Sequence, residues 1–315
     1  MRETVPSFIS VFINRSRHAL HWFLSIQTKY KFLIILLLAI FLRLLYIQNV
    51  AFDEIQYITA SMDLLHDAYN PLEMYHSPNL RYALVGIVAF FVTLFGPTHL
   101  GVILIPVLCS MGTLILLYFI VKRLYGEKHA LLASFLFAIF PLNIKYSTIL
   151  EADVIIGFFM MLCFFLHVYH KRRWSYFVIG IILGVSLFIK FFIMLFFILL
   201  AIELFRTKQL KAMPFLLLGI FLGSFPFIMF QYVETGNPLY HVAQDKILAD
   251  EYMSNHPEEP ISFLEYILNP FSQVPEPSLF NLYVFFILVF FCLEVGQSSS
   301  SFFISWTTAG PCVPF

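Results

Sequence analysis

The sequence predicts an all-α, polytopic transmembrane helical bundle of about eight spans, with amphipathic helices lying at the surface in its first outer loop. Three observations point there. Sixty per cent of the 315 residues are hydrophobic and only 12% are charged. Mean hydropathy is +0.84. Phe alone supplies 39 residues, more than one soluble core could bury. A soluble domain carries roughly 25% charged residues. A chain this apolar is neither disordered nor soluble. The 19 basic and 19 acidic residues cancel, which argues against nucleic acid as a partner.

Each span follows from its run of apolar residues. A helix crossing the hydrocarbon core needs about 20 of them. Candidate stretches lie near 32–49, 79–95, 100–121, 129–145, 153–169, 175–205, 212–230 and 280–294. Arg2, Arg15, Arg17, Lys29 and Lys31 precede the first, and acidic residues rather than a cleavage site follow it. That pattern predicts an uncleaved anchor with a cytoplasmic N-terminus. Basic clusters at Lys122/Arg123/Lys128, Lys171/Arg172/Arg173 and Arg206/Lys208/Lys211 should then also be cytoplasmic. All of them are, provided that 79–95 does not cross and 175–205 crosses twice. The stretch 79–95 begins after Ser77-Pro78, carries Arg81 and stops at Gly96-Pro97, as a surface helix would. Lys190 falls at the apex of the hairpin over 175–205.

The organisation expected is a basic N-terminus over 1–31, a membrane domain over 32–294 with outer loops at 50–99 and 231–279, and an atypical tail over 295–315. Most acids fall outside, the exceptions being Glu3, Glu127, Glu203 and Glu294. Any chemistry should face away from the cytoplasm. Gly180-x-x-x-Gly184 and Gly219-x-x-x-Gly223 should let helices approach closely. Pro141 and Pro226 should kink their spans. Cys109, Cys163 and Cys292 sit in apolar runs and Cys312 in the tail, so neither a zinc site nor a disulfide framework is indicated.

Four constellations could carry chemistry. Asp53 and Glu54, with Tyr57 following, open an amphipathic helix just after the first span. Acids in a first helical turn suit the helix dipole, but a carboxylate there could also accept a proton from a hydroxyl nucleophile. His76 opens the surface helix and, with Asp53, Glu54 and Glu73, could complete a divalent metal site. Glu151 and Asp153 stand where the chain re-enters the membrane, where acids either pair structurally, with Lys145 or Arg43 as candidates, or serve an active site. Lys190 and Arg43 are cations at membrane depth that either snorkel to headgroups or receive a lipid phosphate.

The order of Arg43, Asp53-Glu54 with Tyr57, His76 with Pro78, Glu151-x-Asp153, Lys190, Pro226-Phe227 and Gly236-Asn237-Pro238 resembles the GT-C class of integral-membrane glycosyltransferases. The likeness, over roughly 30–245, is to the protein O-mannosyltransferase branch that includes lipid A aminoarabinose transferases. The resemblance implies a polyprenyl- or dolichyl-phosphate sugar as donor and Asp53 as catalytic residue. It implies a glycan, lipid or protein acceptor on the extracytoplasmic or luminal side. The membrane would be the cell membrane, with the endoplasmic reticulum as alternative. Glu54, Tyr57, His76 and Asp153 would position sugar or acceptor, while Lys190 and Arg43 would hold the phosphate. Family chains usually continue through further spans, so this sequence reads as a truncated or frame-altered copy. Ser77 also stands where lipid A transferases place a Lys. Two rival readings are a non-catalytic carrier of an anionic lipid or solute and an inactive truncated paralogue.

Overall fold

The computed structural model describes residues 27–47, 52–70, 81–170, 172–244 and 247. They form an all-helical bundle without strands among the described residues. The helices are α1 (Thr28–Leu45), α2 (Phe52–Leu65), α3 (Tyr82–Phe95), α4 (His99–Tyr125) and α5 (Glu127–Ile139). There follow α6 (Pro141–Tyr146), α7 (Ala152–Tyr169), α8 (Arg173–Ser186), α9 (Ile193–Arg206) and α10 (Met213–Thr235), the last entered through a 3-10 turn at Leu210–Ala212. Among the described residues three helical stretches, His99–Tyr125, Ala152–Tyr169 and Leu210–Thr235, are long and apolar enough to cross a bilayer. Tyr82–Phe95 and Arg173–Ser186 are apolar but shorter. At 14 residues each, they extend about 21 Å, short of a ~30 Å hydrocarbon core.

Neighbour contacts fix the direction of each helix. Arg43 meets Ser110 while Phe32 stacks on Tyr118, so α1 and α4 run antiparallel. The chain therefore leaves α1 and enters α4 at the same end, and α2 and α3 make no net crossing between them. This is the behaviour expected of 79–95 from the charge pattern. Helix α7 runs parallel to α4, with Phe158 beside Gly112 and the Tyr169 hydroxyl donating to the Phe119 carbonyl at 2.9 Å. The α4–α5, α7–α8 and α9–α10 connections consequently share one end of the bundle. They carry Lys122, Arg123, Lys128, Arg172, Arg173, Arg206, Lys208 and Lys211. Lys122 pairs with Glu127 there and Arg206 with Glu203.

Residues 175–205 do break into two helices, with Lys190 in the connection. Helices α8 and α10 run parallel and touch along both glycine motifs. A Cβ on Gly180 would lie 2.2 Å from the Leu216 carbonyl oxygen, and one on Gly219 would lie 2.2 Å from that of Phe177. Only glycine lets the backbones come this close. The stretch 129–145 is cut at Phe140, which adopts an extended conformation (φ −66°, ψ 116°) before Pro141. A proline ring disfavours helical geometry in the residue before it. Pro226 lies inside α10, as does Pro106 inside α4.

The core centres on α7, α8 and α9, with Phe164, Leu183, Phe196 and Leu200 fully or almost fully buried. Leu217, Leu218, Phe221 and Phe225 of α10 are exposed. In water such a face would drive aggregation, whereas hydrocarbon accommodates it.

Candidate active site

The end of the bundle opposite the basic clusters holds two ion pairs with buried carboxylates, Glu54 with His99 and Asp153 with Lys190. Helix α2 turns one face inward, because Glu54 and Tyr57 are three residues apart and so lie on one side of a helix. Both side chains are fully buried. Glu54 Oε1 contacts Nδ1 of His99, while Glu54 Oε2 is buried with no hydrogen-bond partner. His99 is the first residue of α4, placed there by Thr98, whose hydroxyl accepts from the Gly101 amide at 3.2 Å. The Tyr57 hydroxyl receives a hydrogen bond from Arg81, immediately before α3. Two neighbouring helix starts thus grip α2.

Asp153, in the first turn of α7, forms an ion pair with Lys190 from the α8–α9 connection. For Asp153 the cation is thus Lys190, which the sequence had not suggested as its partner. The reason is topological: α7 and the hairpin apex meet at this end, and a mostly buried carboxylate takes the cation that packing brings. The apex is further tied down by the Ala83 amide of α3, which donates to the Phe188 carbonyl at 3.3 Å.

Arg43 sits deeper. It is fully buried, donating from Nη2 and Nε to Ser110 Oγ at 2.9 and 3.2 Å and from Nη1 to the Ala39 carbonyl at 2.9 Å. Asn143 lies behind Ser110 and is itself anchored to the Phe137 carbonyl at 3.1 Å. Arg43 also lines a cavity of about 320 Å³ between α1 and the start of α4, walled by Leu44, Phe95, Gly101 and Val107 among others.

Asp53 lies in the first turn of α2, but its side chain is outside the described residues, as are Glu73 and His76. Among the described residues no group of three or more His, Cys, Asp or Glu could hold a metal ion. Three of the four residues considered for such a site fall outside them.

Sequence reasoning missed His99 and did not give Arg81 a role at the site. It also missed an aromatic cluster in which Tyr69, Tyr82 and Phe230 approach with centroids 5.6–6.2 Å apart. Beside it Gln231, fully buried, holds His241 Nδ1 at 3.0 Å, and burial keeps that imidazole below its ordinary range. No local pattern marks these residues, since folding rather than a motif brings the partners together.

Residues 83–230, just under half of the chain, match the family of dolichyl-phosphate-mannose-protein mannosyltransferases. The match supports a GT-C class glycosyltransferase. The matched region spans α3 to most of α10 and includes His99, Asp153 and Lys190; Arg43, Asp53, Glu54 and Tyr57 precede it. No curated protein and no solved structure matches the chain.

Proposed function

We propose that the protein transfers a sugar from a polyprenyl- or dolichyl-phosphate donor to an acceptor on the extracytoplasmic or luminal side of its membrane. The observation that carries this reading is the pair of buried carboxylates, Glu54 with His99 and Asp153 with Lys190, at the end opposite the basic clusters. The family match is to enzymes whose description names such a donor. In the reaction the acceptor oxygen attacks the anomeric carbon as its bond to the phosphate oxygen breaks. The acceptor proton passes to the Asp53 carboxylate, and the lipid phosphate leaves with the bonding electrons. A phosphate departs without needing a proton, so the site requires one base and cations rather than the acid–base pair of a glycosidase. Direct displacement inverts the anomeric centre. Lys190 serves the phosphate from the hairpin apex, aided by Arg43 through the cavity it lines. Glu54, Tyr57, His76 and Asp153 position sugar or acceptor. Incubating membranes with radiolabelled polyprenyl-phosphate sugars tests the reading: label should move to acceptor, and no transfer from any of them would refute it.

Lys190→Met should raise the donor KM and slow transfer together, by about one to two decades, because charge-assisted contacts contribute about 1.5–3 kcal/mol. That substitution also strands the Asp153 carboxylate, a destabilising change in itself. Combining Lys190→Met with Asp153→Asn removes both charges and should recover thermal stability without recovering transfer. Transfer restored by the double substitution would reduce Lys190 to a partner of Asp153.

Orientation can be read with cysteines and an impermeant thiol reagent in intact cells. Gly126 has φ +87°, a left-handed conformation that costs a side chain, so the neighbouring exposed Lys128 is the better site. Lys128→Cys should stay unlabelled until permeabilisation, while a cysteine at the exposed Ala68 should react at once. Labelling of both without permeabilisation would overturn the proposed sidedness.

A further inference from the structure

Glu54 presents a physical problem that the proposed reaction does not by itself solve. A carboxylate removed from water is costly unless a donor compensates it. One donor is shown, the Nδ1 of His99, and it serves one oxygen only. His99 comes from α4, 45 residues along the chain, and enters at the first position of that helix, where the partial positive charge of the helix end also favours an anion. With Glu54 ionised, Nδ1 must be the donating nitrogen. Glu54 directly follows Asp53 in the first turn of α2. Holding the Glu54 side chain therefore holds the backbone of the helical turn that carries Asp53.

We infer that His99 is a positioning residue of the transfer reaction, clamping Glu54 and with it the first turn of α2, which carries Asp53. The inference rests on the transferase reading above. The clamp has two points, His99 on Glu54 and Arg81 on Tyr57, one helical turn apart on α2. Arg81 fixes the middle of α2, whereas His99 alone among these contacts acts on the turn that carries Asp53.

The test compares three variants of the full chain in lipid nanodiscs. His99→Ala removes the donor. In His99→Asn the amide nitrogen stands close to where Nδ1 stood, and in His99→Gln it reaches toward the position of Nε2. With a polyprenyl-phosphate-linked sugar as probe, His99→Ala should lower kcat by about 10²-fold, the usual effect of misplacing a reacting group by an ångström. The donor KM should change little. His99→Asn should recover most of kcat and His99→Gln should not. Hydrogen exchange provides a readout independent of activity: amides 54–58 should exchange faster in His99→Ala and at the parental rate in His99→Asn. Unchanged kcat in His99→Ala, equal rescue by Asn and Gln, or unchanged exchange would each overturn the inference. A parental chain that moves no sugar while the exchange contrast holds refutes the transferase reading and leaves the clamp on α2 standing.

Discussion

Asp53→Asn should reduce sugar transfer by a factor of about 10² to 10⁴, the ordinary contribution of a positioned general base. The substitution keeps the size of the side chain and its ability to accept a hydrogen bond, but removes the basic lone pair. Asp53 sits in the first turn of α2, where the helix dipole favours the ionised form. Losing that charge should cost stability only a fraction of a kcal/mol up to about 1 kcal/mol, so folding should survive. Glu54→Gln is expected to cost less activity, because an amide oxygen can still accept from His99. The measurement is the initial rate of label transfer from a polyprenyl-phosphate sugar, with membrane abundance matched. A near-parental rate in Asp53→Asn would leave Asp53 as a residue that complements the dipole and would dismantle the proposed mechanism.

The second large effect concerns the seam between α8 and α10. Gly219→Leu places a side chain where the Phe177 carbonyl oxygen stands 2.2 Å from the Cβ position. The obstacle is backbone, so no rotamer change relieves it and the two helices must part. Overpacking a core costs about 1–3 kcal/mol and occasionally more; here both glycine pairs open together, and the protein should fail to accumulate or melt far below the parent. Gly86→Ala is the control. Nothing lies within 4 Å of a Cβ built at Gly86 in α3, so alanine should be neutral or stabilise the helix by up to about 1 kcal/mol. Fluorescence-detected melting in detergent distinguishes the two. A Gly219→Leu protein that melts with the parent would mean the helices are not in contact along this line.

Much of the architecture was legible because it is written in local composition. Apolar runs located the helices, and basic clusters sorted the connections onto one end. The same clusters required a break within 175–205, which put Lys190 at an apex. The glycine spacings announced the seam. Partnerships were less accessible. Asp153 pairs with Lys190 across 37 positions although Lys145 is nearer in the chain, because packing and not proximity in sequence decides which cation reaches a buried carboxylate. His99 carried no signal at all: a single histidine after Thr98 looks like any helix start until α2 folds against it. Arg43 stood out as a cation at membrane depth, but nothing local showed that Ser110 and the Ala39 carbonyl would orient its guanidinium.

The glycine seam also sets an order of assembly. It joins α8 to α10 and skips α9, so it cannot close while α10 is still inside the ribosome. During that interval Gly180 and Gly184 lie on a helix whose mate has not been synthesised. The hairpin bearing Lys190 can enter the bilayer, but nothing yet holds it from the α10 side. Its final placement waits for Gly219 and Gly223 to arrive. A chain released before that point would carry Lys190 and Asp153 in full and still lack the brace that fixes the apex bearing Lys190.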